Sequence, residues 1–354
     1  MHLLAPRRRN KVPRILPVIE PEAFPLIPLP SYLQVEVSGA CNLRCVMCAA
    51  PLRRDNKPEG KAYMGPELFR RVVDRMEGLG RLHLQGLGEP LLNPHFFRMA
   101  AYAAGKGARV TASSNMTLID ERSAELLIES GLRCLHVSVD GASSGTYESI
   151  RKGASFRRLL ANVELLGRAK GRASSPYPSL RMTAVLMRSN LRELAGLVGL
   201  ASGLGMEEVF VQRLCHSFRE PALPAHYAPM QEFFRKEDLE GVPPAVIEES
   251  FERAREAAAG LGIELRLPAL LPCCGEKARS RCDWPWTGIY VSYQGYIMPC
   301  CMVSTPDRIN FGLAGEEDIG AIWSGAAYAS FRERLSSADP PEICRSCSLY
   351  SGTF

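Results

Sequence analysis

Cys41-Asn42-Leu43-Arg44-Cys45-Val46-Met47-Cys48 sets three cysteines at a C-x3-C-x2-C spacing directly after the alternating run Leu33-Gln34-Val35-Glu36-Val37. Three thiols are one short of the four protein ligands that close a structural zinc tetrahedron, whereas a catalytic metal site keeps one coordination position open. Thiolates also suit a 4Fe-4S cluster, one sulfur per iron, and three of them leave one iron without a protein ligand. That iron is then free to bind a substrate or cofactor.

Outward from this loop a rhythm of short β-branched runs and amphipathic segments begins. Strands are predicted at 33–38, 81–85, 108–112, 133–139, 181–187 and 207–212, and helices at 66–77, 94–105, 120–130, 155–169 and 191–204. Such alternation builds an α/β fold on a parallel sheet, because parallel neighbours need a crossover and helices supply it. Ligands in such folds bind at the C-terminal strand ends. The groups there are Gln85-Gly86-Leu87-Gly88-Glu89-Pro90, Ser113-Ser114-Asn115, Ser138-Val139-Asp140-Gly141 and Val185-Leu186-Met187. Their hydroxyl, amide and carboxylate groups can hold a polar ligand. Equally, Ser, Asn and Asp at these positions cap helices and make Asx turns.

The cysteine loop and the turn that follows the second strand resemble the radical S-adenosylmethionine (SAM) enzymes, which carry C-x3-C-x2-C after the first strand of a barrel. The resemblance implies an open six-stranded partial (β/α)6 barrel and a 4Fe-4S cluster on Cys41, Cys45 and Cys48. It also implies SAM on the open iron, cleaved to a 5'-deoxyadenosyl radical that abstracts a substrate hydrogen. Gly88, Glu89 and Pro90 look like the family's Gly-Gly-Glu-Pro element, with Leu87 in place of the first glycine. Ser114, Asn115, Ser138 and Asp140 stand where similar enzymes contact the SAM ribose or carboxylate. Arg151 resembles an arginine that pairs with that carboxylate, and Met47 occupies a position that is often aromatic, beside the adenine. A reductant such as flavodoxin or ferredoxin is the implied electron source.

A second set of cysteines lies near the C-terminus. Cys282 and Cys300 flank Gly288-Ile-Tyr-Val-Ser-Tyr-Gln294-Gly295-Tyr-Ile-Met-Pro, which reads as a β-hairpin turning at Gln294-Gly295. A helix over about 316–335 then returns the chain to Cys344-Arg-Ser-Cys347. Two distant cysteines and a C-x2-C pair are also a zinc-ribbon arrangement. Behind a radical SAM core they resemble the SPASM and twitch domains, which implies a second, auxiliary 4Fe-4S cluster on Cys282, Cys300, Cys344 and Cys347. The sequence ends at Phe354, before the later ligands of a full SPASM pattern, so the twitch form is expected. Cys273, Cys274 and Cys301 are spare thiols, any of which could replace an assigned ligand or face the substrate.

The expected organisation is a proline-rich N-terminal strap over 1–30, the barrel over 31–214, a linker and bridging helix over 215–268, and the small auxiliary domain, a hairpin plus helix, over 269–354. Net charge is +5, but Arg7, Arg8, Arg9, Lys11 and Arg14 supply five positive charges with no acid among them, so the remaining chain is formally neutral. A broad nucleic-acid-binding face is therefore not expected. Twelve cysteines at metal-like spacings, without a secretory leader or a run of roughly 20 apolar residues, point to reduced thiols in the cytoplasm and to no membrane span. His83 and His136 fall within strands as layer residues, and His216, beyond the sixth strand, is the weak candidate for a catalytic contact. A second cluster favours dehydrogenation of a small molecule, with the cluster as electron acceptor. Cross-linking or epimerisation of a peptide is the near alternative. A nonenzymatic, metal-stapled nucleic-acid-binding protein is the distant one.

Overall fold

The computed structural model describes residues 27–52, 62–214, 218, 223–269 and 282–352. Six strands lie side by side in chain order, all parallel: β1 (Tyr32–Val35), β2 (Arg81–Leu84), β3 (Arg109–Ser114), β4 (Cys134–Ser138), β5 (Ser179–Leu186) and β6 (Glu208–Arg213). The crossovers are α1 (Pro66–Asp74), α2 (Phe96–Gly105), α3 (Glu121–Glu129), the pair α4 (Ser144–Ile150) and α5 (Phe156–Arg172), and α6 (Leu194–Gly203). Polar caps start several of them. Asp120 and Ser123 form a reciprocal capping box on α3, and Ser143 and Ser155 accept from the first turns of α4 and α5.

Parallel strands covered by helices on both faces normally read as continuous apolar runs, because both sides are buried in hydrocarbon. Here they alternate. Leu33, Leu82 and Val110 stand level across three strands and belong to the main core, as do Leu135, Leu180, Met182 and Val209. The intervening positions, Gln34, His83, Thr111, His136, Arg181 and Glu208, fall on the opposite face and line a cavity inside the barrel. The period-2 pattern therefore records a polar interior.

Three features depart from the expected organisation. First, the sheet has ten strands, in the order β10-β9-β8-β1-β2-β3-β4-β5-β6-β7. β7 (Glu264–Arg266) extends the parallel set within the stretch read as linker, before which come α7 (Ala228–Glu237) and α8 (Pro244–Leu261). After α9 (Trp284–Thr287), β8 (Gly288–Val291) pairs in parallel with β1, and β9 (Tyr296–Met298) and β10 (Gly312–Leu313) follow antiparallel. The expected hairpin is thus stitched onto the barrel sheet. Second, the stretch expected to hold a linker and one bridging helix holds two helices, and Pro229 sits in the first turn of α7, where its missing N–H is no loss. Third, the single helix expected at 316–335 is two, α10 (Ile319–Ser324) and α11 (Ala326–Ser336), joined at Gly325. A Cβ on Gly325 would stand 2.9 Å from the Ala321 carbonyl oxygen, so the close turn requires glycine.

Of the proline-rich strap, the described end docks on this region. Ile27 N donates to Ser324 Oγ (3.3 Å) and Trp323 Nε1 donates to the Pro28 carbonyl (3.1 Å). The remainder of the strap lies outside the described residues.

Candidate active site

A cavity of about 890 Å³ opens at the C-terminal strand ends and runs into the barrel. Cys41, Cys45, Cys48, Met47, Gly88, Glu89, Ser114, Asn115, Ser138 and Arg151 all line it. The two other residues picked from the sequence do not. Pro90 and Asp140 are buried behind the wall. His216, Cys215, Cys273 and Cys274 lie outside the described residues.

Each cysteine of the loop meets a hydrogen-bond donor at its sulfur. Leu43 N and Ala50 N donate to Cys41 Sγ and Cys48 Sγ, each at 3.4 Å, while Asn115 Nδ2 and Arg151 Nη1 reach Cys41 and Cys45 at 3.9 Å. Such donors favour sulfur in its negative, metal-bound form. Burial opposes that charge, pushing Cys41 up to about 11 and Cys48 up to about 12 and raising Cys45 as well. A metal deprotonates the thiols that bind it. Among the described residues no three His, Cys, Asp or Glu side chains converge on a point that would clasp one ion. A four-iron cluster asks for one cysteine per iron, and it is the group this donor set fits.

The surrounding polar groups are tied to one another. Glu89 accepts from Ser114 Oγ and Asn115 N, each at 2.8 Å, and its own N–H donates to the Ala40 carbonyl (2.8 Å) beside Cys41. Burial nevertheless holds its carboxyl above the ordinary range. Gly88 packs so tightly against the loop after β1 that an added Cβ would lie 2.1 Å from the Ser38 carbonyl oxygen. Asp140 pairs with Arg151 Nε at 2.7 Å and accepts from Val185 N at 2.8 Å, so its carboxylate fixes the arginine that faces the cavity.

Glu36 escaped the reading of the sequence, where it was only the polar member of an alternating strand. It is buried, and accepts from Leu87 N (3.0 Å) in the glycine-rich turn and from Tyr293 N (3.3 Å) in the hairpin. One carboxylate thereby ties the first strand's loop, the Gly-Glu-Pro turn and the auxiliary region together. A buried acid on the cavity-facing parity of the strand was the available signal.

The deeper wall carries two histidines. His83 bonds Thr111 Oγ1 (2.7 Å), Gln85 Oε1 (2.8 Å) and Ser113 Oγ (3.2 Å), and its ring lies 5.0 Å from that of His136. Burial pushes their pKa values down to about 4 and about 3, so both are neutral at physiological pH. Among the described residues His136 has no hydrogen-bond partner, and neither does the buried Thr183 Oγ1.

Over the mouth lie Leu214, Phe218 and Phe234 from the segment after β6, with Met302 and Ser304 from beyond β9. These two regions are joined. Tyr227 OH bonds Thr305 Oγ1 and Asp307 Oδ1, His226 Nε2 lies 3.4 Å from Asp307 Oδ2, and the Arg308 guanidinium stacks 4.5 Å from the centre of Phe218.

The second cysteine set is also brought together. Cys282, Cys300, Cys344 and Cys347 line one small chamber walled by Pro285, Val303, Phe331, Leu335, Ile343 and Leu349. Burial raises all four thiols, with Cys282 at about 11, and repulsion from neighbouring cysteines adds to it at Cys282, Cys300 and Cys344. Four thiols around an apolar space fit a closed metal centre. The adjacent Cys301 turns the other way, into the large cavity that Gln34 also lines.

Residues 35–187 match the family model of the radical SAM superfamily, and residues 282–348 match that of SPASM, an iron-sulfur cluster-binding domain. An AdoMet-dependent heme synthase of Methanosarcina barkeri is 27% identical, over 90% of this chain and 88% of its own length. A PqqA peptide cyclase of Methylorubrum extorquens is 26% identical, over 94% of this chain and 81% of its own. Among solved structures, Streptococcus suis SuiB bound to the precursor peptide SuiA shares the fold, with a TM-score of 0.66 at 15% identity over 92% of this chain and 71% of that one.

Proposed function

The chain belongs to the radical SAM superfamily and carries a SPASM iron-sulfur domain, and from that premise we propose that it dehydrogenates a polar small molecule held inside the barrel. The cofactors are a SAM-binding 4Fe-4S cluster, SAM and auxiliary iron-sulfur. We assign the first to Cys41, Cys45 and Cys48 and the auxiliary cluster to Cys282, Cys300, Cys344 and Cys347. Bound there, these groups would supply a hydrogen-abstracting radical at the cavity and, in the adjoining chamber, an acceptor for the substrate's remaining electron.

One observation carries the oxidation. The cavity holds Cys41, Cys45 and Cys48 on its wall and comes up against the auxiliary chamber, since Cys301, the neighbour of Cys300, lines the cavity and Leu349 lines both spaces. A substrate between them sits within reach of a hydrogen acceptor and an electron acceptor. Loss of a carbon-bound hydrogen atom and one electron leaves a heteroatom proton to be removed. His136, Thr183 Oγ1 and Arg181 line the inner wall, and we assign them to hold the substrate's heteroatoms, with the proton passing to solvent. Arg151, fixed by Asp140, and Ser114, Asn115 and Ser138 at the rim are the assigned SAM contacts. Glu89 orders that rim through its bonds to Ser114 and Asn115. An acidic flavodoxin or ferredoxin is the reductant proposed. No described helix is long and apolar enough to cross a membrane.

The relatives named for peptide chemistry favour a second reading, modification of a peptide side chain reaching into the same cavity. The test is anaerobic turnover in D2O with polar metabolites and peptides, following substrate mass and 5'-deoxyadenosine together. Loss of two hydrogens with one 5'-deoxyadenosine per product supports oxidation. An otherwise unchanged composition, with one carbon-bound hydrogen exchanged for solvent deuterium, would indicate epimerisation and sink it.

A further inference from the structure

Tyr328, on α11, has its hydroxyl fully buried with no hydrogen-bond partner among the described residues. Its ring is packed on every side that matters: Phe311 lies 4.1 Å and Trp323 4.9 Å away between centroids, and the Arg332 guanidinium stands 4.1 Å from its centre. Phenylalanine would fill this space without stranding a polar atom, so the oxygen needs a partner that the bare polypeptide does not provide. The same helix walls the auxiliary chamber with Phe331 and Leu335, three and seven positions on from Tyr328 and so on the same face. Of the cysteines, Cys300 and Cys282 are the two whose charge bears on the phenol.

Arg332 is unusual in the same way. It is buried, donates to the carbonyls of Pro285 (2.8 Å) and Trp323 (2.7 Å), and has no carboxylate within ion-pair distance among the described residues. A buried cation stacked on a phenol strengthens that phenol as a donor, and it needs a negative group nearby.

We infer that Tyr328 donates its phenolic hydrogen to the auxiliary cluster's own sulfur on the Cys282–Cys300 side and, backed by Arg332, raises the reduction potential of that cluster. The inference rests on the assignment of that cluster to the four cysteines. Its logic is that reduction adds negative charge to the sulfurs, and a donor aimed at them stabilises the reduced form more than the oxidised one. A more readily reduced cluster is a better acceptor for the electron of a dehydrogenation.

The test uses the full chain with Cys41→Ala/Cys45→Ala/Cys48→Ala, so that only the auxiliary cluster is titrated. Iron content and the midpoint potential, followed by electron paramagnetic resonance, are compared for Tyr328, Tyr328→Phe and a fluorinated tyrosine placed at 328. The expected result is about four irons throughout, a potential shifted down in the phenylalanine variant and up with the more acidic fluorophenol. Equal potentials in all three, each with its cluster intact, would overturn the inference. If Tyr328→Phe fails to hold iron, the fluorotyrosine comparison, which leaves the packing alone, still decides. A background that binds no iron at all would overturn the four-cysteine assignment and this inference together, an outcome distinct from an unmoved potential.

Discussion

The two cysteine systems occupy opposite environments. Cys41, Cys45 and Cys48 face a large polar cavity whose walls bring N–H donors to sulfur, whereas Cys282, Cys300, Cys344 and Cys347 surround a small apolar chamber. Three ligands in a polar, accessible space leave a position for a reacting molecule to come and go. Four ligands in an apolar, closed one leave nothing to exchange but electrons. The difference between them is a division of labour written in ligand count and dielectric.

The largest effect expected is from removing the open site. Cys41→Ala/Cys45→Ala/Cys48→Ala drops iron from about eight to about four per chain and abolishes 5'-deoxyadenosine formation. Residual cleavage in this variant would break the comparison outright. Next, Cys344→Ala/Cys347→Ala lowers iron to about four and loses oxidised product, while SAM cleavage persists. Equal loss of both activities would show the closed chamber to be structural support only.

Acid separates the regions by stability. His83 has its folded pKa pushed down to about 4 by burial, below the ordinary value near 6.5, so its contribution is complete above the unfolded value. That contribution is lost as pH falls from about 6.5 toward 4, where the unfolded chain takes up the proton first, and amounts to roughly 3 kcal/mol. His83→Gln should flatten this slope in denaturant titrations. A slope unchanged by the substitution would remove the polar cavity as the seat of acid lability. The smallest effect is at the joint between the regions. Glu36→Gln keeps one acceptor for Leu87 N and Tyr293 N and should cost about 1–2 kcal/mol in chemical denaturation. A neutral outcome would mean that backbone pairing alone holds the turn to the hairpin.

Much of this was legible locally. The six parallel strands announced themselves by alternation, the cavity-facing thiol loop by its place after the first of them, and the hairpin by Gln294-Gly295. Gly295 indeed takes positive φ there, at 96°. What escaped was carried by partners far away in the chain. The pairing of β8 with β1 joins Gly288 to Tyr32 across a span with no local signature. Tyr328 and Arg332 read as an ordinary helix face until the chamber beside them is known. α7 was missed in the linker for a different reason, since a proline such as Pro229 marks a helix start as readily as a break. Glu36 and Asp140 act through other residues: strand parity marks where Glu36 stands and the strand-end rule picks out Asp140, but neither says that the carboxylate's task is to hold a loop or an arginine in place.

The β1–β8 ladder has one more implication, for how this chain can be cut. β8 caps the free side of β1, and with the residues from Trp284 onward deleted the first strand would carry its outer row of amides and carbonyls bare along the rim of the sheet. Such a rim is a template for strands of other molecules. A truncated barrel would therefore come out of the cell as aggregate rather than as a smaller enzyme, and the two iron-binding modules, separable on paper, are inherited as one piece of cloth.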